Sequence, residues 1–327
     1  MKKFDRKDIY QEITDKIIAE LEKGAVPWLK PWAPRTKASK SGGTLGIFGR
    51  PRNAVSGRRY SGINVLMLWC AQDDAGYRSD SWLTFKQALE LGGHVRKGEK
   101  ATQIIFMKPM SKTVRNDQTG EDEDQRFMMA KAYHVFNVEQ CEGLPERFSP
   151  AATVPPLTVV KPDTKPVTLE LCRDKLAWLK ANGSTVRHGG DRAAYSPALD
   201  LILMPVAEDF DTVDHYWNTM FHEHVHWTMP KQRLNREFPS KRWGDDGYAM
   251  EELVAEMGTA YLCADHGVKG ELRHAGYIEH WLKVLKGDKR AIVSAASKAS
   301  QAAEYLNAFS EATADEHEGG DEEQIAA

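Results

Sequence analysis

Met220-Phe221-His222-Glu223-His224-Val225-His226-Trp227-Thr228 is the stretch on which the reading of the 327-residue chain turns. It contains the pattern H-E-x-x-H, with His222 and His226 four positions apart. On an α-helix this spacing places both imidazoles on one face, one turn apart, with Glu223 beside them. A catalytic zinc takes three protein ligands and keeps a further position for water, whose pKa it lowers towards neutrality. A carboxylate that does not bind the metal can then take the proton, and Glu223 stands where that base belongs. Three fixed letters in five also arise by chance, so the motif needs a helix under it, a strand before it and a third ligand after it.

The flanking sequence supplies these. Leu199 to Leu203 reads as a strand that ends at Pro205, and Asp211 is placed to cap a helix from Val213 through Trp227. Downstream, Tyr248 to Met257 has helical character, and acidic residues within its apolar run need something positive to meet them. Glu252 and Glu256 share a face: Glu252 is read as the third ligand and Glu256 as the carboxylate that orients a ligating histidine through its second ring nitrogen. Glu251, on another face, is the alternative ligand. The carboxylates could equally be solvated or pair with Arg233, Arg236 or Lys241. His224 lies two positions from each ligand and should point away from the metal, and His215 is read as structural. A His, His, Glu set suits Zn2+, and also Mn2+, cobalt or nickel.

The length suggests two domains, and the net charge of -3 hides an uneven distribution. No Asp or Glu occurs from Lys23 to Gln72, where arginines and lysines alternate with tryptophans and Tyr60; the last stretch from Glu311 is strongly acidic. The four cysteines form no C-x-x-C pair. No export signal or membrane-spanning run is present, so reduced thiols, a cytoplasmic location and no membrane partner are expected.

In order, the chain predicts an amphipathic helix through Ile9, Ile13, Ile17 and Leu21, then a proline- and tryptophan-rich segment and a basic loop. Helices follow at Val65 to Trp69 and Phe85 to Leu91, then a buried strand from Thr102 to Met107, an acidic hairpin tip at 118–125 and a strand from Phe127 to Val138. Prolines at 149–166 mark a linker. The expected division is residues 1–148, a linker 149–166, a second domain 167–309 and a disordered acidic tail 310–327.

Several groups of residues match a known family: Trp28 to Trp32, Tyr60-Ser61-Gly62-Ile63-Asn64, Trp82-Leu83-Thr84-Phe85, Phe136-Asn137-Val138, Tyr195-Ser196-Pro197, His222 to Trp227, Glu251 to Glu256 and Tyr277 to Leu282. In these the chain resembles the ArdC-type antirestriction proteins of conjugative plasmids, over nearly its whole length apart from the acidic tail. The resemblance implies an α+β protein in which an N-terminal α+β domain, binding single-stranded DNA without strong sequence preference, precedes a zincin-like metallopeptidase domain. It implies a plasmid-encoded bacterial protein that protects incoming DNA from the recipient's restriction enzymes. The peptidase substrate is not implied; host restriction proteins or other DNA-associated proteins are the classes to consider. Family members often carry a small or apolar residue where His224 stands. By analogy with zincins the strand Leu199 to Leu203 should lie along the substrate groove, and Tyr195, Tyr248 or Arg236 should help the metal stabilise the oxyanion.

Single strands are held by a cationic track along the phosphates and by aromatic faces on which bases stack. The acid-free stretch offers Trp28, Lys30, Trp32, Arg50, Arg52, Arg58, Arg59 and Tyr60, with a second cluster at Arg96, Lys97 and Lys100. Asn53, Ser56 and Asn64 suit phosphate or sugar contacts, or cap turns equally well. The tryptophans could instead be core residues and the lysines simply solvated. Two other readings stay open: a DNA-coating protein whose metal site is structural or vestigial, and a metal-dependent nuclease or deaminase, although the C-x-x-C ligands of the latter are absent.

Overall fold

The computed structural model describes residues 8–32, 49–115, 122–148, 173–238, 247–270 and 275–318. It divides into two compact units, Met1–Ile9 with Pro51–Val154, and Tyr10–Arg50 with Pro155–Ala327. The expected linker 149–166 lies outside the described residues. At the other end, the described residues of Tyr10–Arg50 group with the second unit.

With the helix Ile9–Glu22 of the second unit counted as α1, the first unit comprises β1 (Arg52–Asn53), α2 (Ile63–Ala75), β2 (Ser81–Leu83), α3 (Phe85–Glu90), β3 (His94–Val95), β4 (Thr102–Arg115), β5 (Asp122–Asn137) and β6 (Cys141–Glu142). Its main sheet has the order β1-β2-β5-β4, with β3 and β6 paired separately. Helix α2 is apolar on most sides and buries Val65, Leu66, Leu68, Trp69 and Cys70, as a helix enclosed by its own unit must. Helix α3 starts with a capping box, in which the Thr84 side chain accepts from the Gln87 N–H and the Gln87 side chain accepts from the Thr84 N–H.

The expected buried strand Thr102 to Met107 is only the base of β4. Ile104 and Ile105 are buried but Phe106 is 50% exposed, because beyond them β4 continues as a ribbon paired with β5 as far as Arg115 opposite Asp122. Asp122 to Gln125, expected in the hairpin tip, belong to β5, and residues 116–121 lie outside the described set. At the base, Asn64 accepts from the Ile105 N–H at 2.8 Å and donates to the Ile105 carbonyl at 2.7 Å. One side chain thus meets both main-chain groups on the outer edge of β4. Asn64→Ala strands both, and should destabilise the first unit by about 1–3 kcal/mol in urea unfolding, with little effect on the second.

The second unit comprises α1, a 3-10 turn at Pro27–Trp32, α4 (Arg173–Ala181), β7 (Thr185–His188), β8 (Ala194–Ser196), β9 (Leu201–Met204), α5 (Val213–Trp227), α6 (Gly247–His266), α7 (Ile278–Gly287) and α8 (Ala291–Glu318). Its sheet has the order β7-β9-β8, with β9 parallel to β7 and antiparallel to β8. Helix α1 buries Ile13, Ile17 and Leu21, and its Thr14 hydroxyl donates to the Lys289 carbonyl at 2.7 Å. Helix α6 is buried from Ala249 to Ala264. It packs on α5 and α8. A Cβ at Gly258 would lie 2.9 Å from Val225 Cγ2, so a glycine lets α6 approach α5 closely. On α8, Ala295, Ala296, Ala299, Ala302 and Ala303 are fully buried, small side chains that permit tight helix packing.

One expectation changes here. Thr212, not Asp211, caps α5, its hydroxyl accepting from the His215 N–H at 3.0 Å. Helix α8 extends to Glu318. Residues 319–327 lie outside the described set. No helix among the described residues is long and apolar enough to cross a membrane, and Cys70, Cys141 and Cys263 are free thiols.

Candidate metal centre

Helix α5 presents His222 and His226 one turn apart, and α6 brings Glu252 to them. The two Nε2 atoms are 3.2 Å apart; Glu252 lies 3.5 Å from His222 Nε2 through one oxygen and 3.6 Å from His226 Nε2 through the other. The three residues each offer a donor atom, all within 4.8 Å of one another. A tetrahedral ion with bonds of about 2.0–2.2 Å needs donors about 3.3–3.5 Å apart, so these side chains fit one. Facing lone pairs of two imidazoles at such a distance repel unless a proton or cation lies between them.

The outer layer differs from the sequence expectation. Glu251, rather than Glu256, reaches a candidate ligand: its Oε1 lies 3.2 Å from His226 Nδ1. Glu251 is not available as the third ligand either, because Arg236 holds both its oxygens, at 2.5 and 2.8 Å. Arg236 is buried, and its remaining donors go to the Thr228 hydroxyl at 2.9 Å and the Val225 carbonyl at 2.8 Å. Burial would raise the Glu251 carboxyl, but the guanidinium and His226 hold it below the usual carboxylate range. Burial likewise opposes a charge on His226, and the Glu251 hydrogen bond and the surrounding carboxylates outweigh it, so the imidazole is shifted upwards. Glu256 is buried one turn further along α6. Glu251→Gln should weaken divalent-ion affinity about 10–100-fold, read by competition with a chromogenic chelator.

Glu223 is buried beside His222, and its Oε2 accepts from the Tyr195 N–H of β8 at 2.9 Å. Strand β8 is itself tied down. The Tyr195 hydroxyl donates to Asp200 at 2.9 Å, and Arg233 donates to Asp200 at 2.6 Å, to the Tyr195 hydroxyl at 2.9 Å and to the Trp227 carbonyl. Asp200 occupies a left-handed conformation at φ 47°, which turns the chain between β8 and β9. Burial and the Asp200 hydrogen bond push the Tyr195 phenol up to about 12. Of the three expected oxyanion partners, Tyr195 and Arg236 are thus engaged elsewhere; Tyr248 is 63% exposed.

A cavity of about 540 Å³ opens on this centre, lined by His222, Glu223, His226, Glu252, Tyr248, Phe238 and Met229 and by Ala193 to Tyr195 of the β8 region. The strand expected along the groove was Leu199 to Leu203. That strand, β9, is central in its sheet, and the edge strand β8 borders the cavity instead.

His224 points away from the metal candidates, as its spacing predicts. It is fully buried, with Nδ1 2.8 Å from the Met220 carbonyl and Nε2 2.9 Å from the Ser184 hydroxyl. The carbonyl accepts only, so Nδ1 carries the proton and Nε2 accepts from Ser184. Burial lowers this imidazole to about 4.

The expected DNA contacts separate into groups. Trp28 is buried edge-on against Trp281, with ring centroids 5.5 Å apart. Arg50 is buried and paired with Asp265 at 3.0 Å. Tyr60 and Asn64 are buried, the latter on Ile105. These four are structural. Asn53 accepts from the Ser56 N–H and hydroxyl at 3.0 and 3.2 Å, so this pair caps a turn. Arg52 pairs with Asp80 and Arg96 with Glu99. Arg58, Arg59, Lys97 and Lys100 are exposed. The side chains of Lys30 and Trp32 lie outside the described set.

Residues 7–136 match the family described as the N-terminal domain of anti-restriction factor ArdC, and residues 174–298 match the zincin-like metallopeptidases. The crystal structure of antirestriction ArdC protein from the R388 plasmid, metal-free, shares 37% identity, covers 93% of this chain and 98% of its own, and superposes with a TM-score of 0.73. The chain belongs to the ArdC antirestriction family. The Mn(II)-bound ArdC structure gives 35% identity over the same shares and a TM-score of 0.71. An uncharacterized protein of Sinorhizobium fredii, y4eC, is 35% identical over 92% of both chains. DNA primase TraC of Escherichia coli is 33% identical over 93% of this chain, which spans only 27% of the primase. The ArdC fold and the three converging donors together suit a divalent metal.

Proposed function

We propose that this ArdC-family chain binds single-stranded DNA through its first unit and hydrolyses peptide bonds in its second, as part of protecting incoming plasmid DNA from restriction in the cytoplasm. The observation that carries the enzymatic half is the convergence of His222, His226 and Glu252 within 4.8 Å, on a cavity that Glu223 also lines. In this reading His222, His226 and Glu252 hold a divalent ion, zinc by the chemistry of the donors, with manganese accepted by the same set. The ion would supply Lewis-acid polarisation of a peptide carbonyl.

The residues of the chain do the rest. Glu223 takes the proton of the attacking water and passes it to the leaving amine. The Tyr195 N–H bond holds Glu223 in place through one oxygen, and the second oxygen is the one that works. Tyr248, which lines the cavity and hydrogen-bonds Glu252 and Tyr277, would have to release Glu252 to meet the developing oxyanion. Strand β8, an edge strand among the described residues, offers main-chain groups along which an extended substrate can lie.

For the DNA half, support comes from the match of 93% of this chain to part of a protein named DNA primase TraC and from exposed Arg58, Arg59, Lys97 and Lys100. The test is direct: protein loaded with zinc or manganese is incubated with an unfolded protein substrate, and chelator-sensitive fragments are sought. A labelled single strand is titrated in parallel. No fragments with either metal would overturn the peptidase reading.

A further inference from the structure

The projecting part of the β4–β5 hairpin has a composition that neither the metal centre nor the basic loop accounts for. From Thr102 to Arg115 and from Arg126 to Val138 there is no Asp or Glu, whereas Lys108, Lys112, Arg115, Arg126 and Lys131 are cationic. The register pairs Ile104 with Tyr133, Phe106 with Lys131 and Lys108 with Met129, and residues directly opposite share a face. That face is buried at Ile104 and then emerges: Phe106 is 50%, Met129 40% and Tyr133 39% exposed, with Lys108 and Lys131 exposed among them. The Phe106 and Tyr133 rings meet edge to face at 5.3 Å, and the Lys131 ammonium lies 5.2 Å from the Tyr133 centroid.

Large apolar side chains grouped on an exposed strand face mark a binding surface. Near the rings the charge is cationic, the acidic Asp122 to Asp124 lying at the far end of the ribbon opposite Thr113 to Arg115, and cationic surroundings select a polyanion. The aromatic faces select one whose bases are free to stack, and duplex bases are not. We infer that Phe106 and Tyr133, flanked by Lys108 and Lys131, form the base-stacking platform for single-stranded DNA. The assignment rests on the reading that the first unit binds such a strand, and moves its centre from the Trp28–Tyr60 stretch to the hairpin.

The experiment titrates the full chain into a fluorescently labelled oligothymidylate, with anisotropy recorded over a range of salt concentrations. Phe106→Ala combined with Tyr133→Ala should weaken binding tenfold or more and leave the salt slope unchanged. Lys108→Ala combined with Lys131→Ala should flatten that slope by about 1.4, at about 0.7 per phosphate contact on a single strand. Phe106→Trp, which keeps a stacking face, should bind like the parent and shows that the site is folded. If the parent binds and the ring variant binds equally well, the hairpin assignment fails while the DNA reading stands; if the parent itself does not bind, both fall. A parent that sediments as a dimer, split by the ring variant with no change in DNA affinity, would make the hairpin a contact between copies and overturn the proposal.

Discussion

Glu223→Gln is expected to lower peptide hydrolysis by about a hundredfold or more, the usual worth of a positioned general base, while divalent-ion content and single-strand affinity stay at the parental level. The amide has the size of the carboxylate, and its oxygen can still accept from the Tyr195 N–H, so β8 should keep its place. What it cannot do is take a proton. Residual cleavage at the parental rate, with metal bound, would remove Glu223 from the mechanism. The same variant divides the biological question: if it still protects incoming DNA in a conjugation assay, protection comes from covering the strand and not from cutting a protein.

Arg236→Leu should destabilise the second unit by about 3–5 kcal/mol in urea or thermal unfolding. The guanidinium is buried and satisfies both oxygens of Glu251, the Thr228 hydroxyl and the Val225 carbonyl. Removing it leaves a buried carboxylate that the His226 hydrogen bond and the more distant Lys298 offset only in part, and a buried charge that loses its partner carries a cost of that order. Arg236→Lys should recover little, since an ammonium cannot reproduce the planar two-pronged contact. Because Glu251 also sets the orientation of His226, metal affinity should fall together with stability. A variant that melts like the parent would mean that Glu251 had become protonated or hydrated.

The convergence of the candidate donors was largely legible because the pattern is local. His222, Glu223 and His226 lie within five positions on one helix, and Glu252 betrayed itself as a carboxylate in an apolar run that needed a positive partner. Its supporting residue was not legible. Glu251 and Glu256 flank Glu252 on the same helix, and the choice between them depends on the angle at which α6 crosses α5, which the Gly258–Val225 contact permits and no local pattern encodes. The basic, aromatic N-terminal stretch misled for a related reason. Composition made Trp28 and Arg50 look like DNA contacts, but their partners, Trp281 and Asp265, lie more than two hundred positions away. The hairpin was misjudged in the opposite direction: Ile104 and Ile105 imply burial, and nothing nearby says that the sheet stops covering the strand at Phe106.

The Thr14 hydroxyl and the Lys289 carbonyl that accepts from it are 275 positions apart. That separation bears on the order in which the molecule is made. During synthesis, residues 51–154 can collapse as soon as they emerge, since most of the first unit is continuous in the chain. Helix α1 emerges before all of this and then has to wait, its apolar face uncovered, until Lys289 has appeared. Closing so long a loop is slow. The second unit is therefore expected to mature after the first, and the interval in which its first helix stays idle is the stage most exposed to chaperones and to aggregation.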